Sequence, residues 1–440
     1  MKRKRRLGLA PHHTSASSSP ACRHQIICGN KVVTPRGVLA PGYLTFTADG
    51  DIAAITAQPP PHTSIATILT VPLIVPGHVD IHNHGVGGAE DVVDYWNNPG
   101  YTLARLAKQG TTSCLATVVF LDGQSSRSTH TCGVISSVVD QDGHGCVLRG
   151  IHAEGPVVAT LGGLPESKQQ ATLEDPDLAT FSILLDNIGA HLKIMTISPS
   201  CERGNNCARL RLLAKRNIKI ALGHDKNCTE LDILKALHVV KPARCHTTHV
   251  FNVQSFHHRN AGLVNFAMVP TFPKLSQYNG IEPPTVEVIC DFRHVSAMAL
   301  QALFAARSPM DVCCITDAIA ESIPGKKIKY SSDRVAEVSN DGQTVNIAGT
   351  NLLCGSCTSM HATFRKLIDV LGVALEDAVL LCSTTPSVVA GIDRMVGSID
   401  IGKRGDVLLL DENLNVLQTV VGGCTVWSSE APMEVRTTKS

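Results

Sequence analysis

The sequence predicts an α/β protein: a (β/α)8 TIM-like barrel with a small β-sandwich domain formed from both chain ends. Three observations lead there. Between residues 75 and 395, eight apolar strand-like runs alternate with helix-like segments, with no shorter internal repeat of the kind that builds a solenoid. Short β-like runs separated by turn residues occupy 25–74 and return over 396–440, and neither group is large enough to bury a good core alone. Histidines and carboxylates recur where the apolar runs end, and barrel enzymes build their sites at the carboxyl ends of their strands.

Composition narrows the function classes. Of 440 residues 43% are hydrophobic, ample for a large core. With 39 basic and 38 acidic residues the chain has no general attraction for nucleic acid or an anionic membrane, so any binding of anions must be local. The 16 cysteines are scattered, several inside apolar runs such as Val312-Cys313-Cys314-Ile315, which fits a reducing, cytoplasmic compartment better than a disulfide framework. No apolar run is long enough to span a bilayer, and the basic start, Met1 to Arg6, leads into polar residues instead of a signal-peptide apolar segment.

In chain order, residues 1–24 are basic and then rich in Ser, His and Pro, a composition expected to be disordered. Arg6-Leu7 followed by His13 loosely resembles an amino-terminal peroxisomal or glycosomal import signal, although Thr14 is not the expected final residue. The first β-like group holds Ile26-Ile27-Cys28, Lys31-Val32-Val33, Tyr43 to Phe46 and Ile52 to Ile55. The barrel is expected to begin with Pro76 to His84. A helix over Tyr101 to Lys108 follows, with Leu103 and Leu106 on one face and Gln109-Gly110 as its stop, and then the strand Thr112 to Val119. The remaining barrel strands are expected at Leu148 to Glu154, Leu192 to Ser198, Ile218 to His224, Cys245 to Phe251, Val286 to Phe292 and Val312 to Asp317. The closing β group is expected at Gly397 to Asp400, Asp406 to Asp411 and Val416 to Val421.

The chemistry sits at the strand ends. Alternation along a strand sends Asp80, His82 and His84 to one side and Val79, Ile81 and Asn83 to the other. Two imidazoles two residues apart can hold one metal ion, though an H-x-H pair alone is as readily a pair of loop histidines. Glu154 closes the third strand, His224 the fifth, His249 the sixth and Asp317 the eighth. A single histidine such as His224 is more often a satisfied core residue. Two carboxylates and four imidazoles drawn into one mouth would cost stability unless they bind a cation or pair with one another. Asp317 is placed to take a proton from water and pass it to a leaving nitrogen; as an aspartate after an apolar run it could equally cap a helix.

A family resemblance rests on motifs that run in order from about residue 70 to 411. His152-Ala153-Glu154-Gly155-Pro156, Leu222-Gly223-His224, Thr248-His249-Val250-Phe251-Asn252, His257-His258-Arg259, Asp291 with His294, Ile315-Thr316-Asp317-Ala318 and Leu353-Cys354-Gly355-Ser356 resemble those of N-acetylglucosamine-6-phosphate deacetylases, in the amidohydrolase superfamily. The resemblance implies metal-dependent hydrolysis of an acetamide on an amino sugar phosphate, and a homodimer. It implies that Glu154, His224 and His249 are metal ligands and that Asp317 is the acid/base. His82 and His84 would allow a second ion bridged by Glu154, so one or two divalent ions are expected, zinc foremost, with iron or another transition metal admitted. Substrate contacts are implied at Gly163, Asn252, Val253, His294, Leu353, Cys354 and Gly355, with Arg259 as the phosphate partner. Leu164, Val253, Phe292, Arg293 and Cys354 depart from the family's usual residues, which leaves another N-acetylated sugar or amino compound open as substrate. A ring-opening amidohydrolase is disfavoured, since those resemble a pattern with a bridging lysine where Glu154 stands. A non-catalytic sugar-phosphate binder is disfavoured by the retention of Asp317 and every ligand position.

Overall fold

The structure is a computed structural model that describes residues 24–61, 68–87, 96–120, 126–163, 177–330 and 334–430. The basic tail up to residue 23, with its import-like pattern, and Leu164 lie outside the described residues.

The chain opens with β1 (Ile26–Thr34), β2 (Gly37–Leu39), β3 (Gly42–Phe46), β4 (Ile52–Thr56) and β5 (Leu69–Pro76). The barrel follows as β6 (His78–Asn83), β7 (Thr111–Val119), β8 (Val147–Glu154), β9 (Leu192–Ile197), β10 (Lys219–Leu222), β11 (His246–Thr247), β12 (Thr285–Ile289) and β13 (Val312–Ile315). Then come β14 (Lys327–Lys329), β15 (Val335–Val338) and β16 (Val345–Ile347), and finally β17 (Val407–Leu410), β18 (Val416–Val421) and β19 (Cys424–Ser428).

The barrel strands pair in sequence order from β6 to β13 and run parallel throughout. They are almost wholly buried, as strands covered by helices on one side and filled on the other must be. Closure between the first and last strands uses residues of the site. The Asp317 N–H donates to His82 O at 2.9 Å, and the His84 N–H donates to Ala318 O at 2.9 Å. Both chain ends form one sheet in the order β19-β18-β17-β5-β1-β3-β4, with β2 on β1. Its centre is β5, parallel to β1 and antiparallel to β17, and only Gly77 separates β5 from the first barrel strand.

The expected helix after the first strand is present as Pro99–Lys108, opened by an Asn98 side-chain cap on Tyr101 N–H. Three expectations are corrected, and one sheet is added. Gly397 to Asp400 is not a strand, because Gly397 turns at φ 88° against Ser387 on a helix where a Cβ would stand 2.1 Å from the hydroxyl. The sixth barrel strand is only His246–Thr247, not Cys245 to Phe251. Strict alternation in the first strand fails beyond Asp80: the pairing with β7 slips between Asp80 and Asn83, and the Asn83 amide turns back to Asp80 Oδ2 at 3.0 Å. The small antiparallel sheet β14-β15-β16 was not expected, since runs of three or four residues carry too little alternation to register.

Candidate active site

Six side chains from five strand ends converge. Glu154 stands last in β8 and is 1% exposed. Its Oε1 meets His224 Nε2 at 2.9 Å and His249 Nε2 at 3.2 Å, and those two nitrogens lie 2.9 Å apart. Its Oε2 lies 3.2 Å from His84 Nε2, and His84 Nε2 lies 3.1 Å from Asp317 Oδ1. His82 Nε2 completes the group, 3.6 Å from Glu154 Oε1 and 3.4 Å from Asp317 Oδ1. Two ligand sets result, one of Glu154, His224 and His249 and one of His82, His84 and Asp317, each with its atoms within 4.8 Å of one another.

Backbone conformation aims these groups. His224 (φ 50°), His249 (φ 23°) and Asp317 (φ 50°) are all in the left-handed region, as are Phe251, Val253 and Phe292. Such conformations cost on the order of 1–3 kcal/mol each, and they are concentrated where strands turn over the barrel mouth. His224 is fixed further by its Nδ1, 2.9 Å from Thr160 O.

Four buried polar residues that the sequence reading did not place in the site support the cluster. Glu287, in mid β12, meets His82 Nδ1 at 2.6 Å, the His249 N–H at 3.0 Å and His246 Nε2 at 3.1 Å. His152 spans from Ile81 O to Thr196 Oγ1, at 3.0 and 2.9 Å. Asp80 does not join the ligands; it accepts from the Thr316 hydroxyl at 2.6 Å and so ties the strand bearing Asp317 to the strand bearing His82. Burial pushes the Asp80 carboxyl up to about 6. The available signal was a charged or polar residue inside a strand whose neighbours are all apolar, since such a residue is buried only with a partner.

A pocket opens over the cluster. Gly163, Asn252, Val253, His294, Leu353 and Gly355 line it, together with Tyr330, which the sequence reading missed. The Tyr330 hydroxyl, just after β14, donates to Gly163 O. Gly163 packs so tightly that a Cβ there would stand 2.7 Å from Leu353 O. Asn252 Nδ2 is buried with no hydrogen-bond partner. His294 Nδ1 lies 2.6 Å from Asp291 Oδ2; burial lowers its pKa, but Asp291 outweighs that and holds it above the usual value. Two expected contacts are not brought into the lining. Cys354 is fully buried in the core, and Arg259 is exposed on the loop after Asn252, its Nε 3.1 Å from His258 Nε2.

The donor set fits a divalent cation. His82 Nε2 is buried without a hydrogen-bond partner, and the His224 and His249 nitrogens face one another across a carboxylate oxygen. Charge demands the same. Burial pulls His82 and His84 down, yet the surrounding carboxylates raise them to about 10 and about 9 respectively, with Glu287 the largest contributor at His82 and Asp317 at His84. Imidazole nitrogen with carboxylate oxygen suits zinc, iron and related ions.

A parallel eight-stranded barrel with a mixed end sheet and an imidazole-carboxylate centre at its mouth has the fold of an enamidase of the amidohydrolase superfamily, at 12% identity and a TM-score of 0.50. Along most of its length the chain is similar to N-acetylglucosamine-6-phosphate deacetylases. It is 26% identical over 402 residues to the enzyme of that name from Bacillus subtilis (strain 168), covering 89% of this chain and 94% of that one. It is 27% identical to the human enzyme over 371 residues, 82% of this chain and 84% of that one. An N-acetylgalactosamine-6-phosphate deacetylase from Escherichia coli O157:H7 is 25% identical over 90% of this chain and 98% of its own. Among solved structures, an N-acetyl-D-glucosamine-6-phosphate deacetylase from Mycobacterium smegmatis superposes with a TM-score of 0.76 at 25% identity, over 92% of this chain and 100% of that one. D-hydantoinase, at 13% identity and a TM-score of 0.52, shares the fold. No family model matches the chain.

Proposed function

We propose that this protein hydrolyses the acetamide of N-acetylglucosamine 6-phosphate to glucosamine 6-phosphate and acetate. The observation that carries the reading is the convergence of Glu154, His224, His249, His82, His84 and Asp317 in one cluster at the base of a pocket, in a chain that resembles such deacetylases along most of its length. Glu154, His224 and His249 would hold one ion, zinc foremost, and His82 and His84 with Asp317 a second, Glu154 reaching both. A bound divalent ion polarises the amide carbonyl and lowers the pKa of water to roughly 7.

The chain's own groups supply the rest. Asp317, its carboxyl held below the usual range because His82 and His84 outweigh burial, is an anion at neutral pH and accepts the proton of the attacking water. It returns that proton to the nitrogen as the C–N bond breaks, so acetate and a free amine leave together. His294, with Nδ1 committed to Asp291, has Nε2 left for the substrate, and the unpaired Asn252 amide offers a second donor. Arg259 is the guanidinium that the family resemblance assigns to the phosphate.

The test is acetate release from N-acetylglucosamine 6-phosphate, its galactosamine epimer and the unphosphorylated sugar. N-acetylglucosamine 6-phosphate is expected to be the best substrate. Asp317→Asn should lower kcat roughly 10²- to 10⁴-fold while metal analysis still finds the ion at Glu154, His224 and His249. Metal-loaded protein that releases acetate from none of the three would overturn the reading.

A further inference from the structure

Glu287 carries a charge that the reaction as described does not use. It stands in the middle of β12 between Val286 and Val288, fully buried, where an unpaired carboxylate would cost several kcal/mol. Its oxygens are fully engaged. Oε1 accepts from the His82 Nδ1–H at 2.6 Å and from the His249 backbone N–H at 3.0 Å, and Oε2 lies 3.1 Å from His246 Nε2. His246 is anchored in turn, its Nδ1 2.8 Å from Thr285 Oγ1.

This arrangement decides what His82 can do. An imidazole that donates from Nδ1 to a carboxylate keeps its proton there and presents the Nε2 lone pair, and a carboxylate behind a ligating imidazole also raises its basicity. His82 Nε2 is the buried atom without a hydrogen-bond partner, aimed between Glu154 and Asp317. The contact with His249 is different in kind. It reaches the backbone N–H and leaves the imidazole, whose Nε2 faces Glu154 and His224, outside the relay.

We infer that Glu287 is a positioning residue that controls occupancy of the second ion, acting through His82, while the Glu154, His224 and His249 set fills without it. The inference rests on the metal-centre reading above and goes beyond it, because it assigns the second ion's retention to a residue that touches neither ion nor substrate. Gln at this position keeps the shape: its amide oxygen can still accept from His82 and His249 and its amide nitrogen can meet His246. Only the charge is lost.

The experiment titrates zinc alone into metal-free full-length wild type, Glu287→Gln, His82→Ala and the double variant, with zinc per chain measured by elemental analysis and affinity by chelator competition. Wild type is expected to hold two ions. E287Q should keep the first with unchanged affinity and weaken the second roughly 10- to 100-fold. The double variant should bind no more weakly than His82→Ala, since a residue acting through His82 has nothing left to act on. E287Q that holds both ions as tightly as wild type, or a double variant whose losses add, would overturn the inference, as would wild type that stops at one ion. Wild type that binds no ion would overturn the metal-centre reading itself. Should E287Q fail to fold, the proton spectrum of zinc-loaded wild type decides: a strongly downfield imidazole N–H, absent in His82→Ala, is expected from the His82–Glu287 bond, and its absence overturns the proposal.

Discussion

Tyr330 and Gly163 bring residues distant in sequence to opposite sides of one pocket wall, and their link is a single hydrogen bond. The hydroxyl satisfies the carbonyl of a glycine whose side-chain position is closed by Leu353 and Cys354, so it holds the Gly163 turn against the pocket wall. Tyr330→Phe keeps the ring and removes about 1 kcal/mol of net hydrogen bonding. Steady-state acetate release should show KM raised roughly three- to tenfold with kcat little changed, because the bond shapes the substrate's seat and not the reacting atoms. Legibility follows the same division. Glu154, His224 and Asp317 could be read from sequence because each ends an apolar run, where a polar side chain looks out of place. Glu287 and His246 were not, because each sits inside an apolar run and reads as a lapse in the pattern, and Tyr330 follows a strand of only three residues.

Elements that place the site are short and strained at its rim. After Thr247 the chain leaves β11 at once, and His249, Phe251 and Val253 turn through positive φ, so a reading by hydrophobic runs extends that strand too far. Beneath the barrel, the first strand is tied to the helix Met360–Asp369 and to the end sheet by two histidines. His361 Nε2–H donates to Leu414 O at 2.7 Å, which leaves Nδ1 to accept from His78 Nε2–H at 3.2 Å. Burial lowers the His361 pKa to about 4, opposed only in part by the bond to Leu414, and lowers His78 well below its usual value. The sign follows from linkage. Between about 6.5 and 4 the unfolded chain binds a proton at His361 that the folded chain does not, so stability is complete above about 6.5 and is lost as pH falls through that window. The loss is at most roughly 3 kcal/mol at about 1.4 kcal/mol per unit. His361→Gln, which preserves an acceptor and a donor but cannot titrate, should flatten this part of the acid limb in urea unfolding measured at pH 7 and pH 4.5. An unchanged pH slope would show that the pair does not govern acid stability.

At the scale of the molecule, the end sheet and the barrel share structure enough to unfold as one. β5 runs into the first barrel strand through Gly77, where a Cβ would stand 2.1 Å from Thr112 Oγ1, so the joint admits no added bulk. Leu408 and Leu410 of β17 are fully buried in a cluster that also holds Val286, Val312 and Phe364 from the barrel side. Thr419 of β18 donates to Ala107 O at the end of the first barrel helix at 2.8 Å. The chain's 2 tryptophans divide between the two parts. Trp96 is buried beside the first strand, its indole N–H donating to Asn83 O at 3.2 Å, and Trp427 lies in β19 opposite Thr419. Single-tryptophan variants, Trp96→Phe and Trp427→Phe, therefore report on end sheet and barrel separately. Coincident urea midpoints are expected, because separating the parts would expose Leu408 and Leu410 and break the Thr419–Ala107 hydrogen bond. Adding Leu408→Ala should lower both midpoints together, at a cost of roughly 2–5 kcal/mol. Midpoints that part, with Trp427 fluorescence changing first, would mean that the end sheet folds onto a barrel that stands without it.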